Sequence, residues 1–276
     1  MKRLVISLIF LLSISLVSGS YITIVTRLSS EIMENNSTQV NVELEQRGDE
    51  AAYEVEVVPF PSDYFDYEGV VRKDRFDPGD TLHGFFSLHL KKKLIQGNYP
   101  FVVKTVYHDA NMYPFSVVSS HLIVYKAGYQ SDIVGSIKSL TVEKGGSGET
   151  ILKIRNLGNK RRVVNVRLYL PTELKGDESE KFVSVDPGEE KEIKYTIRSR
   201  GALPGSSYNI LASLEYESEN HYTSFASGLV KIVEKKDEFN LLWILIVLFI
   251  VLLSIFIYLK VSGEFVESIG SNSHLE

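Results

Sequence analysis

Between residues 21 and 238 apolar and polar positions alternate. EIKYTIR (192–198) sets Ile193, Tyr195 and Ile197 against charged or polar neighbours. VVNVRLYL (163–170) puts Val164, Val166, Leu168 and Leu170 on one face, and YNILASLEY (208–216) alternates again. A period of two marks half-buried antiparallel strands, and no stretch outside the two ends of the chain holds a helical period. Turn signals such as NLGN, DPGE, LPGS and ESEN separate the runs.

The runs come in two sets. Asp77-Pro78-Gly79 recurs 109 residues on as Asp186-Pro187-Gly188. The same offset carries Tyr99 onto Tyr208, Tyr107 onto Tyr216, Asn111 onto Asn220, Tyr113 onto Tyr222 and Val124 onto Val233. Upstream, an offset of 110 places Val42, Leu44 and Gly48 on Leu152, Ile154 and Gly158. Turn chemistry alone does not hold a register over half a domain, so the chain contains a tandem repeat of roughly 105-residue units. About seven short strands per unit predict an all-β chain of two tandem Ig-like β-sandwiches, over 21–126 and 132–234, joined by a linker at 127–131. Tyr99 and Tyr208 open the sixth strand, where a tyrosine corner belongs. The core Trp of antibody domains is missing, since the single Trp lies in a different kind of segment.

That segment is FNLLWILIVLFIVLLSIFIYL (239–259), 21 positions without a charge. At about 1.5 Å per residue it spans roughly 30 Å, the hydrocarbon thickness of a bilayer. Trp243 and Tyr258 stand near its two ends, where interfacial aromatics belong, so one C-terminal transmembrane helix is expected. Residues 1–20 combine a basic pair (Lys2, Arg3), an uncharged run from Leu4 to Val17 and a small-residue Ser-Gly-Ser site. They read as a signal peptide, an uncleaved anchor being the other reading. Basic residues before the span (Lys231, Lys235, Lys236) outnumber the single Lys260 after it, which by loop charge favours the opposite orientation. Large domains translocate largely regardless of charge, so the signal sequence decides. The expectation is a single-pass cell-membrane protein with extracytoplasmic N-terminal domains, a stalk at 235–238 and a short cytoplasmic tail at 260–276.

The chain has no cysteine, which removes disulfides, thiol chemistry and cysteine-metal sites, and leaves each unit to bury a core unaided. Residues 21–128 carry 10 Lys and Arg against 15 Asp and Glu, and 129–238 carry 17 of each. Neither half is built for nucleic acid.

The stretches TVEKGGSGETILKIRNLGN and DPGEEKEIKYTIRSRGALPGSSYNI resemble the prokaryotic extracytoplasmic Ig-like modules of the CARDB and alpha-galactosidase-associated, S-layer-like type. The shared features are a strand ending N-x-G, a P-G-E turn before a charged strand, and P-G-x-Y before the next. The resemblance covers 140–233 well and 38–125 more loosely. It implies stalks and spacers on surface proteins or beside membrane transporters, and no catalytic residues.

The side chains point the same way. His83 and His89 face outward but stand six residues apart, about 20 Å along a strand, too far to share a metal. Asp63, Asp66 and Glu68 share a loop on which nothing separates their pKa values. No catalytic residue, metal or cofactor is expected. Arg47-Gly48-Asp49 spells an adhesion tripeptide, but its glycine aligns with the plain turn glycine Gly158. Asn35 and Asn36 head two overlapping glycosylation sequons, and Lys91-Lys92-Lys93 reads as a solvated loop.

The most unusual loop is PFPSDYFDYEG (59–69), whose counterpart in the second unit has no aromatic residue. Tyr64, Phe65, Asp66, Tyr67 and Glu68 are expected to form an interdomain latch against the basic turn Lys160, Arg161, Arg162, or else a ligand loop or a solvated one. Three functions fit: a membrane-anchored binding or scaffolding module with a protein or glycan partner, an accessory subunit of a membrane transporter or glycan-processing complex, and a carbohydrate-binding surface protein.

Overall fold

The computed structural model describes residues 21–235, 245–255 and 257. The first sandwich runs β1 (Ile24–Ser30), β2 (Ser37–Gln46), β3 (Ala52–Pro59), β4 (Phe65–Glu68), β5 (Val71–Phe76), β6 (Thr81–Leu90), β7 (Gly97–His108) and β8 (Pro114–Tyr125). The second runs β9 (Ile133–Ile137), β10 (Leu140–Glu143), β11 (Ser147–Asn156), β12 (Arg162–Tyr169), β13 (Leu174–Gly176), β14 (Glu180–Val185), β15 (Glu190–Ser199), β16 (Ser207–Glu217) and β17 (His221–Val233).

In the first unit the sheet β1-β2-β6-β4 faces β5-β3-β7-β8; in the second, β13-β15-β11-β9 faces β14-β12-β16-β17, with β10 parallel on β17. Both are two-sheet, Ig-like β-sandwiches. They hold eight and nine strands rather than about seven. The surplus is short β4 and β13 and a first strand that crosses between sheets: β9 pairs β11 and β10 pairs β17, as β1 pairs β2 and Met33 bridges to Tyr125. The expected loop at 59–69 is corrected in part, because Phe65–Glu68 is β4, paired antiparallel with β6.

The repeated Asp-Pro-Gly has the same construction in both units. Asp80 N donates to Asp77 O and Glu189 N to Asp186 O, with φ of 84° at Gly79 and 74° at Gly188. Pro at the second position and a left-handed Gly at the third make a type II turn. The fourth residue's carboxylate then accepts the first residue's N–H, Asp77 N to Asp80 Oδ2 and Asp186 N to Glu189 Oε2. Each turn docks on the end of the second long strand of its unit, through Gly79 N to Gln46 O and Gly188 N to Asn156 O. Gln46 and Asn156 are buried polar residues with their own bonds to backbone, and they fix that junction.

Each sandwich has its own core. Val42, Leu44, Phe86, Leu88 and Tyr99 lie in the first; Leu152, Ile154, Ile193, Tyr195 and Tyr208 lie in the second. Tyr99 Oη donates to Ile95 O at 2.7 Å, closing a tyrosine corner at the start of β7. A third apolar cluster joins the units: Val102 and Val118 with Phe60 from the first, Tyr169 and Leu211 with Phe225 from the second. The joint is also a backbone one. Gly97 pairs with His221 in parallel, which merges β7 and β17 into one nine-stranded sheet.

The remaining described residues, 245–255 and 257, are helical with exposed apolar side chains. Among the described residues no helix is long and apolar enough to cross a membrane. The expected signal peptide lies outside the described residues, as do much of the expected span, including Trp243 and Tyr258, and the tail beyond it.

Gly97 has φ of 149°, and a Cβ there would fall on the His221 carbonyl. Gly97→Ala should therefore strain the joint by about 1–3 kcal/mol and split thermal unfolding into two transitions. A single transition at the parental temperature would show that the joint does not couple the units.

Candidate interdomain site

The outward faces of β12, β16 and β17 build this region. In β16 Ile210, Ala212, Leu214 and Tyr216 point into the second core, yet Leu211, Ser213 and Glu215 are buried too. A strand covered on both faces inside a sandwich means that something packs on the outside. That something is the first unit.

Apolar residues fill the middle of the contact, with Phe60 edge-on to Tyr169 at 5.1 Å. Polar groups close one end. His221, 1% exposed, stacks on Tyr99 at 4.1 Å between ring centroids. Its Nδ1 lies 2.7 Å from the Asn98 carbonyl, which only accepts, so Nδ1 carries the proton. Thr223 Oγ1 donates to the same carbonyl, and Asn98 Nδ2 donates to Tyr129 O in the linker. Tyr64 Oη donates to Glu215 Oε2 at 2.9 Å and lies 3.3 Å from His221 Nε2. Ser213 Oγ donates to Glu215 Oε1. Burial, reinforced by Glu215, pushes the Tyr64 phenol well above its usual range.

Beside this group, Arg167 reaches Asp63 at 2.6 Å and Glu180 at 2.9 Å. Burial works against the Arg167 charge, but hydrogen bonds to the two carboxylates outweigh it and hold the guanidinium more firmly protonated. Arg167 holds the Asp63 carboxyl below the usual range. At the opposite end, Ser116 Oγ donates to the buried Glu173.

The structure scatters the residues singled out in 64–68. Tyr64 meets the second unit, through Glu215 and His221. Phe65 is buried in the first core, Tyr67 lies edge-on to Phe86 at 6.0 Å, Asp66 pairs with Lys91, and Glu68 is exposed. Lys160, Arg161 and Arg162 do not meet this segment. Arg161 holds Ser184 and Asp186, Arg162 pairs with Asp132 and lies over the Tyr216 ring, and the Lys160 carbonyl accepts from Asn156. The turn folds back on its own unit, and the cation that reaches across is Arg167, five residues along β12.

Asn35 and Asn36 are exposed in the bend before β2. Asp49 accepts the Tyr21 N–H at 2.7 Å and Arg47 pairs with Glu45, so the adhesion-like tripeptide anchors the first described residues to the turn. Lys91 donates to the Ser62 carbonyl and Lys92 lies over the Tyr64 ring, which ties two of the three lysines to this end of the joint. Among the described residues no group of three or more His, Asp or Glu is placed to hold a metal.

Glu215 and His221 were hidden in the sequence because they sit 151 and 157 positions from Tyr64. One signal marked them. At the repeat offset they fall on Val106 and Met112, so they break the repeat where the units differ in what covers them.

No family model matches the chain, and no curated protein matches it. Among solved structures, a Salmonella alpha-2-macroglobulin is 12% identical over 75% of this chain with a TM-score of 0.31. The chain spans 16% of that protein's length. The PapD-like domain 7 of human CEP192 is 13% identical over 41% of this chain and 95% of its own, with a TM-score of 0.30. A Porphyromonas gingivalis protein of unknown function is 13% identical over 75% of this chain and 98% of its own, with a TM-score of 0.28. These are likenesses of β-sandwich to β-sandwich and carry nothing about activity.

Two outcomes follow from the geometry. Tyr64→Phe leaves a buried carboxylate and an imidazole without their shared hydroxyl and should lower unfolding free energy by about 1–3 kcal/mol. A double-mutant cycle of Asp63→Asn with Arg167→Gln should give a coupling below about 1 kcal/mol near neutral pH, since Asp63 is largely exposed. Because the folded-state value of Asp63 is lowered, that coupling is present above the unfolded value and is lost as pH falls through the folded one. A coupling that persisted in strong acid would contradict the assignment.

Proposed function

We propose that this chain is a single-pass, membrane-anchored surface protein whose two Ig-like domains form one stiff binding or scaffolding arm, with no chemistry of its own. The observation that carries the reading is the joint: an apolar cluster from both units, closed by Tyr64, Glu215 and His221, in a shared sheet. A flexible tether needs no such contact, whereas an arm that must present a surface at a fixed angle does. The apolar run at 239–259 and the leader-like 1–20 supply the anchor and the export signal in this reading. The resemblance of 140–233 to CARDB-type modules, which serve as stalks and spacers, agrees with it.

A protein partner, as in an accessory subunit of a membrane complex, draws support from one patch. Val163 and Phe182 are 62% and 72% exposed on neighbouring strands β12 and β14, next to the Tyr64–Glu215 end of the joint. Two large apolar side chains left in solvent this close together suit burial against a partner.

The test is protease treatment of intact cells expressing the full chain with epitopes after residue 21 and at the C-terminus. The sandwich epitope should disappear while the C-terminal one stays protected until lysis. Protection of both epitopes in intact cells would overturn the surface placement.

A further inference from the structure

At the end of the joint opposite His221 the two units enclose a cleft of about 480 Å³. Tyr107, Phe115 and Ser116 of the first unit line it, with Ser206 and Tyr208 of the second, and Asp109 stands among its lining residues. Tyr107 and Phe115 stack at 5.7 Å. Among the described residues no lysine, arginine or histidine lines the cleft.

The polar groups here are under-satisfied. Tyr208 is 3% exposed, and its hydroxyl stands beside the Leu203 backbone and the Ser206 side chain without a well-aligned hydrogen bond. Glu173, 2% exposed, stands behind the lining residue Ser116 and not in the lining itself: its Oε2 accepts from Ser116 Oγ at 2.7 Å, and its buried Oε1 meets no other side chain. Ser116 Oγ is held in turn by the Thr172 N–H. The cation whose field reaches Glu173 is Lys104, but its ammonium lies over the Phe60 ring and makes no ion pair with Glu173. Burial raises the Glu173 carboxyl above the usual range, and burial followed by the Glu173 charge raises the phenols of Tyr107 and Tyr208. A carboxylate this buried, hydrogen-bonded but without an ion-pair partner, is pushed toward its protonated form and is held as an ion only when a positive group comes close. Such local conflicts concentrate at functional positions.

We propose that this cleft binds an alkylammonium or guanidinium group, carried by a small amine or by a Lys or Arg side chain of a partner chain. The aromatic rings and the Ser116 and Tyr208 hydroxyls line the cleft, Asp109 adds negative charge at the lining, and the Glu173 carboxylate adds it from just behind Ser116. A neutral sugar would also stack on such rings, but it would leave the Glu173 charge uncompensated. The site deepens the binding-module reading and rests on that part of it alone.

The experiment is calorimetric titration of the full chain with 1,4-diaminobutane, with a Gly-Lys-Gly peptide and with cellobiose. Binding of the diamine alone points to a free amine as ligand, and binding of the peptide to a partner's side chain; either supports the proposal. Glu173→Gln should weaken that binding by roughly tenfold or more, as loss of a buried negative charge next to the bound cation does. The same variant should melt at or above the wild-type temperature near neutral pH, because the uncompensated charge is gone. A purely structural Glu173 would give the reverse, a lower melting temperature with unchanged binding. Asp109→Asn, which keeps the acceptor for the Asn111 and Tyr113 N–H groups, should weaken binding independently should Glu173→Gln fail to fold. Binding of cellobiose alone, no binding of either amine, or amine binding indifferent to both substitutions would overturn the proposal. None of these results bears on surface placement, which protease accessibility reads separately.

Discussion

The carbonyl of His221 occupies the space where residue 97 would carry a side chain, and that close approach lets β7 and β17 meet as neighbours in one sheet. Around this contact the His221 ring lies flat on Tyr99, and its Nδ1 joins the Thr223 hydroxyl on the Asn98 carbonyl. The linker is drawn in by Asn98 through Tyr129. Two sandwiches with complete cores of their own thus become one body. The cleft lined from both units exists only because their relative position is set.

Magnitudes separate the cohesive part of the joint from the part that sets its geometry. Phe60, Val102, Val118, Tyr169, Leu211 and Phe225 each contribute up to about 1.5–3 kcal/mol of burial. The exposed Asp63–Arg167 pair contributes below about 1 kcal/mol, and a stacked ring pair adds about 0.5–1.5. The apolar cluster therefore supplies most of the attraction. The polar end supplies register, since a slide of one residue would leave Glu215, His221 and the Asn98 carbonyl buried without partners.

The fold was legible where it depends on short-range chemistry. Alternation set Ile193, Tyr195 and Ile197 on one face, and all three are buried; the Asp-Pro-Gly turns recurred in register, and Tyr99 announced its corner. Other features depend on distant residues and were not legible. Alternation reports one buried face and is silent about a second, so Glu215 reads as a solvent-facing charge until another unit covers it. The stretch around Tyr64 was recognisable as unusual, but its partner was misjudged: a basic turn was expected where a single arginine inside a strand does the reaching. Phe65 was grouped with Tyr64 by aromatic character, and strand pairing with β6 sends it into the core instead.

The central claim is that both sandwiches form one rigid body, and a distance measurement tests it most directly. The chain has no cysteine, so Asp74→Cys and Lys194→Cys, on exposed positions of the first and second units, accept spin labels without background. Pulsed dipolar spectroscopy should give a single narrow distance distribution, unchanged between dilute buffer and high salt because the apolar cluster supplies most of the attraction. A broad or two-peaked distribution would contradict the account.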